Sequence, residues 1–137
     1  MKRILTVAAL AAAAVIPATS SADSAGEATA DRGGTDLRIT FVLRSLGGEP
    51  KQIRRFEFKR FTVACNTGGP VEVKGEIRRM NVNDAGKFDG NAKKGDGKVH
   101  VEGEVKNGGN KVVGTLKASG KFGAAEGCDT KVGWEAS

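Results

Sequence analysis

Tyrosine is absent from the 137-residue chain, and histidine and tryptophan occur once each. Because the six phenylalanines fall mostly at inward-facing strand positions, the sequence lacks the aromatic stacking surface of single-strand nucleic-acid binders. It also lacks a phosphate-binding glycine loop ending in lysine and serine, a complete calcium loop and a glycosylation triplet. We therefore expect no cofactor, no bound metal and no specific nucleic-acid partner.

The first residues have the three parts of a secretory signal peptide. Lys2 and Arg3 precede thirteen mostly apolar residues, 4–16, which end at Pro17, and small side chains follow. Cleavage before Asp23 would make residues 1–22 the signal peptide. The apolar run is shorter than the roughly 20 residues that span a bilayer as a helix. We expect a secreted, extracytoplasmic protein without a membrane span.

Residues 23–36 contain four acids and no large apolar side chain, which predicts a flexible acidic leader. Residues 37–137 are long enough for one hydrophobic core and are predicted to be a single β domain. They carry 19 lysines and arginines against 12 aspartates and glutamates, a formal net charge of +7. Such a charge attracts anionic polymers without selecting one of them.

Apolar residues alternate with polar ones along most of this domain. Leu37, Ile39, Phe41 and Leu43 share one face of the first run, and no segment sustains helical spacing. The next run changes parity after Phe58, which predicts a bulge near residues 59–60. Twenty glycines mark turns, and Asn107-Gly108 is a strong hairpin signal. We predict an all-β fold of about seven or eight short antiparallel strands, as a β-sandwich or a small β-barrel.

Cys65 and Cys128 are the only cysteines, and an oxidising compartment favours one disulfide between them. A catalytic thiol would need a histidine partner and a reducing environment. Trp134 shares parity with Val132 and Ala136, which favours burial in the core over exposure as a platform for a sugar or a base.

His100 is the centre of the one catalytic arrangement that the sequence offers. It shares a strand face with Glu102 and Glu104, and residues two apart on a strand are about 7 Å apart, as a paired-carboxylate site requires. Lysines flank the three residues on the same face, as they do on any solvent-exposed strand. A small hydrolase using His100 with Glu102 or Glu104 is therefore the alternative function, and we predict no catalytic residue.

Basic pairs recur at 54–55, 59–60, 78–79 and 93–94. Neighbouring residues on a strand point to opposite faces, so the three strand pairs are not expected to form three patches. The pair at 93–94 lies in a predicted polar loop, residues 83–97. The predicted ligand contacts are Arg78, Arg79, Lys93 and Lys94. A further alternative is an inhibitor that presents the 83–97 loop to a protein partner.

Several segments together resemble a group of small secreted proteins, mostly from soil actinobacteria. The segments are "RITFVL", "IRRFEFKRFTVAC", "AGKFDG", "VEGEV", "VVGTL" and "CDTKVGWEAS". Lys131 departs from the glycine expected three residues after the last cysteine. The resemblance implies a disulfide-linked exported β domain and transfers no catalytic residue. We predict a non-enzymatic binding or cell-envelope module whose partner is an anionic envelope polymer or a protein.

Overall fold

The computed structural model describes residues 21–30 and 36–137, which form one antiparallel sheet. Its strands are β1 (Ser21–Ala30), β2 (Arg38–Leu46), β3 (Glu49–Val63), β4 (Cys65–Thr67), β5 (Val71–Asn81), β6 (Lys87–Lys94), β7 (Gly97–Lys106), β8 (Lys111–Phe122) and β9 (Ala125–Ala136). No helix within these residues has the length and apolar character needed to cross a membrane. The predicted all-β class is confirmed.

Eight of the strands follow one another around a nearly closed barrel. Their order is β5-β3-β2-β1-β9-β8-β7-β6, and β4 pairs with β9 beside this path. The two end strands, β5 and β6, lie next to each other, because Met80 and Ile77 of β5 pack against Gly90 of β6. No backbone ladder joins β5 to β6 in the described residues. We call this gap the seam.

The core lies inside the barrel and is apolar. Every buried side chain of the described residues is apolar, in agreement with the alternation read from the sequence. Trp134 is only 1% exposed, and its ring lies 6.2, 5.5 and 6.4 Å from those of Phe41, Phe56 and Phe88. The predicted burial of Trp134 is therefore confirmed.

The predicted turn and bulge are both present. Asn107 and Gly108 have φ values of 54° and 66° in the turn between β7 and β8, as the hairpin signal requires. The ladder between β3 and β5 shifts between Phe58 and Phe61, and Arg60 has a φ of 59°. A second bulge, at Arg55, has a φ of 51°.

The predicted flexible leader differs from the structure over residues 23–30, which belong to β1. This strand pairs with β2 along most of its length and with β9 at its end. It needs no large apolar side chain, because the ring of Phe41 occupies the space over Gly26, and Ala28 is buried. Backbone pairing thus orders a segment whose composition predicts disorder. Residues 31–35 and most of the predicted signal peptide, residues 1–20, lie outside the described residues.

Residues 83–97 are not the polar loop that the sequence predicts, because most of them form β6. Phe88 is buried, and each residue from Lys87 to Lys94 pairs with β7 across the two-residue turn at Gly95-Asp96. The small residues Gly90 and Ala92 at the other inward positions hide the alternation. The inhibitor hypothesis therefore has no free loop over this strand.

The predicted disulfide between Cys65 and Cys128 is confirmed. The two cysteines lie directly opposite each other on β4 and β9. Two hydrogen bonds support the crossing: the Asp129 amide donates to the Ala64 carbonyl, and the Ala64 amide donates to Oγ1 of Thr130. The bridge thus fastens the continuation of β3 to the other side of the barrel.

Candidate functional site

Three basic doublets on β3 and β5 share one sequence arrangement and one structural setting. Each doublet stands between two buried apolar residues that are three positions apart. The three segments are Ile53-Arg54-Arg55-Phe56, Phe58-Lys59-Arg60-Phe61 and Ile77-Arg78-Arg79-Met80. Because both flanking residues point inward, the change of parity falls within the doublet, and neither basic side chain is buried. All six basic side chains therefore lie at the outer surface.

Four of these side chains form a compact group, the arginine block, which consists of Arg54, Arg55, Arg78 and Arg79. Arg54 pairs directly with Arg79, and Phe56 pairs with Ile77. The other two arginines lie between these two pairs, one on each strand. Within the described residues no carboxylate forms an ion pair with any member of the block. Like charges directly opposite on neighbouring strands destabilise a sheet, so this arrangement has an energetic cost.

A second basic group lies on the outer face of the four strands β6 to β9. This lysine cluster consists of Lys93, Lys98, Lys117 and Lys131, one from each strand, and all four are exposed. Lys93 is directly opposite Lys98, and Lys117 is directly opposite Lys131. His100 pairs with Lys117 on its other side and connects the two lysine pairs. No member of the cluster takes part in an ion pair within the part of the chain that the structure describes.

The seam lies between the two basic groups. The packing of Ile77 and Met80 on Gly90 aligns β6 with β5, so Arg78 lies beside Gly90 and Asn91. Asn91 pairs with His100, which pairs with Lys117. One line of neighbouring positions therefore leads from the arginine block across the seam and over β7 to β9. We call this line the basic belt.

The residues predicted as ligand contacts lie on the two strands that border the seam. Arg78 and Arg79 belong to the arginine block on β5, and Lys93 belongs to the lysine cluster on β6. Lys94 extends across the seam, where its Cδ lies 3.6 Å from the position of a Cβ on Gly75. The four residues thus occupy the middle of the basic belt.

The proposed catalytic group around His100 has a defined geometry. The Nδ1 atom of His100 lies 2.8 Å from Oδ1 of Asn91, and its Nε2 atom lies 3.6 Å from Oε2 of Glu102. Glu104 pairs in register with Lys87. Within the described residues no three histidine, cysteine, aspartate or glutamate side chains are placed to hold a metal ion. His100 is therefore positioned by Asn91 and Glu102 and does not contact Glu104.

A shallow cleft of about 650 Å³ lies on the outer face next to this group. Its polar lining includes Asp89, Glu102, Glu104 and Thr115, whereas His100 does not line it. Asp89 is directly opposite Glu102. The cleft is therefore acidic and lies beside the basic belt, where it would repel an anionic ligand.

Sequence reasoning recognised the basic pairs but missed that each strand pair presents both cations outward. The alternation rule holds only where strands are regular, and all three pairs fall at irregularities. The available signal was the spacing of three between buried residues on either side of each pair, at Ile53 and Phe56, Phe58 and Phe61, and Ile77 and Met80.

The resemblance to secreted actinobacterial proteins rests on turn glycines, core residues and cysteines, none of which belongs to the basic belt. It therefore gives no guide to the ligand of this surface. Comparison with known proteins adds no relative, since the chain matches no family model, no curated protein and no solved structure.

Proposed function

We propose that this chain is an exported, non-enzymatic binding module that holds an anionic polymer of the cell envelope on its outer face. The observation that carries the proposal is the placement of all three basic doublets at bulges or changes of parity, where both cations of each doublet face outward. A regular strand would have turned one cation of each doublet into the core. The sheet is thus irregular at the positions where its basic side chains accumulate.

The backbone conformation of two arginines supports a function for this face. Arg55 and Arg60 have positive φ values, and the only other non-glycine residue of the described chain with this property is Asn107 in a turn. The left-handed region costs an L-residue roughly 1–2 kcal/mol. Glycine would avoid this cost at both bulges. An arginine at such a position is consistent with selection for its charge, since it does not serve stability.

The chemistry of the surface favours charge as the recognised property. A guanidinium group presents paired N–H donors that match the oxygens of phosphate and carboxylate groups. All six phenylalanines and the tryptophan are buried, so they offer no stacking surface to a sugar or a base. The ligand that suits this face is therefore a chain with repeated negative charges.

The predicted signal peptide and the disulfide support an extracytoplasmic location. Disulfides persist mainly in oxidising compartments, and the bridge here closes a long loop with 63 positions between the two cysteines. Anionic envelope polymers are the abundant polyanions that an exported bacterial protein meets. The location and the charge of the outer face thus indicate the same partner.

The test is retention of the secreted, processed protein on immobilised anionic polymer at physiological salt. We expect retention of the natural chain and loss of retention in the double variant Arg54→Gln/Arg79→Gln. The matched control is Lys106→Gln/Lys111→Gln, which also removes two directly opposite cations, at the far end of the same sheet. Equal retention of the two variants, or elution of the natural chain below physiological salt, would refute the proposal.

A further inference from the structure

We infer that the bound polymer crosses the strands along the basic belt, and that it is a linear phosphodiester chain held by its backbone charges. This inference rests on the proposed function and adds the path and the chemical class of the ligand. The path runs from the arginine block, over the seam, to Lys117 and Lys131.

The register of the sheet supports the path. Asn91, His100, Lys117 and Lys131 are consecutive partners across β6, β7, β8 and β9. Rows of registered residues run across the strands, so these side chains form a line on the outer face. The alignment of β5 with β6 places Arg78 at the end of this line. A ligand that contacts the arginine block therefore finds further cations across the sheet.

The borders of the belt restrict the ligand to this direction. Asp89 and Glu102 form a directly opposed acidic pair on β6 and β7, and Glu57 and Glu76 form another on β3 and β5. An anionic chain that ran along the strands would meet one of these pairs. A chain that crosses the strands avoids both.

The length of the path sets the size of the ligand. Six strands contribute to the belt, and five steps of about 4.8 Å between neighbouring strands give a path of roughly 24 Å. A single phosphate or a short oligomer can engage only one of the two basic groups. Full affinity therefore requires a polymer long enough to reach both.

The spacing of the cations indicates the chemical class. Arg54 and Arg79, Lys93 and Lys98, and Lys117 and Lys131 each stand one strand spacing apart, about 5 Å between backbones. Such pairs fit a chain whose charges follow one another at short intervals. Phosphodiester chains carry a full negative charge in each short repeat, and both lysine and arginine bind phosphate well. Uronic-acid polymers carry one charge per sugar ring, and the described surface exposes no aromatic side chain on which such rings could stack.

The experiment measures the dissociation constants of poly(glycerol phosphate) chains of increasing length for the secreted, processed protein. We expect affinity to rise steeply until the chain spans roughly 24 Å and then to level off. Glycerol phosphate alone should bind at least a hundredfold more weakly. An affinity independent of length would overturn the path.

The variant Lys117→Gln/Lys131→Gln isolates the far part of the belt. We expect it to weaken binding of the long chain about tenfold at physiological salt and to lower the slope of log affinity against log salt by about 1. A chain too short to span the belt should bind this variant and the natural protein equally. Lys106→Gln/Lys111→Gln is the control of equal charge.

The outcomes separate this inference from the proposed function. If Lys117→Gln/Lys131→Gln behaves like the control while Arg54→Gln/Arg79→Gln loses binding, the path is wrong and the proposed function stands. If heparin or a uronic-acid polymer of equal charge binds more tightly than poly(glycerol phosphate), the phosphodiester class is wrong. Tighter binding of duplex DNA would also overturn the envelope polymer as the ligand. Loss of all binding at physiological salt would refute both proposals.

Discussion

Arg54 on β3 and Arg79 on β5 lie directly opposite each other, with no carboxylate in an ion pair with either one among the described residues. Two cations at such a position repel each other, and the sheet tolerates them next to two further arginines. The relationship links stability to binding, because the same charges that oppose folding are available to a ligand. This link leads to the first prediction.

The double variant Arg54→Gln/Arg79→Gln should be more stable than the natural chain and should bind polyanions less well. Removal of the cross-strand repulsion is expected to raise the free energy of unfolding by about 0.5 kcal/mol at low ionic strength. Urea unfolding measures this change. The control Glu57→Gln/Glu76→Gln removes an opposed acidic pair from the same two strands and should gain stability without losing polyanion binding. A variant of the arginines that is less stable would contradict the prediction.

Replacement of Arg60 by glycine should give a more stable protein than its replacement by alanine, by about 1 kcal/mol, because φ is 59° at this position. The order should reverse at Arg54, which lies in the same strand without a positive φ. There, glycine should be less stable than alanine by about 0.5–1 kcal/mol. Chemical denaturation of the four variants gives the comparison. The same order at both positions would show that Arg60 does not hold the left-handed conformation.

Gly114→Ala should destabilise the protein by about 2 kcal/mol or more. A Cβ at this position would lie 2.6 Å from Cζ2 of Trp134 and close to the carbonyl oxygen of Glu102. The indole is enclosed by other rings and has no space to retreat, so the added methyl group overpacks the core. Thermal unfolding followed by tryptophan fluorescence reports both stability and the indole environment. Thr115→Ala, at the next outward position, should change stability by less than about 0.5 kcal/mol.

The double variant Cys65→Ser/Cys128→Ser should lose about 2–4 kcal/mol of unfolding free energy, since the bridge restricts a long loop in the unfolded chain. Reduction of the natural protein should cause the same loss, as measured by urea unfolding with and without reductant. The arginine block and the lysine cluster contain no residue of β4 or β9's first turn, so polyanion binding by the folded fraction should be retained. An unchanged midpoint after complete reduction would contradict the prediction.

The core and the disulfide could be predicted because their signals are local. Leu37, Ile39, Phe41 and Leu43 alternate in one strand, and all four are buried. Cys65 and Cys128 have only each other as partners within the chain. Period-two alternation and cysteine count need no knowledge of the tertiary structure.

The parts that could not be predicted depend on partners distant in sequence. β1 is ordered by pairing with β2 and β9, and its side chains give no sign of this. β6 has glycine and alanine at two inward positions because Met80 and Ile77 of β5 fill the space over Gly90. The basic belt likewise exists only once register aligns residues from six strands. Such information resides in the pairing of strands and is absent from any single segment.

The position of β1 also determines when the barrel can close. This first strand lies between β2 and β9, and Thr29 pairs with Glu135 near the other end of the chain. Contacts between residues about a hundred positions apart form late, because they carry the entropy of closing a large loop. In a chain that is exported from its N-terminus, β9 is the last strand to emerge. The barrel therefore stays open during translocation, and its completion coincides with arrival in the compartment where the disulfide forms.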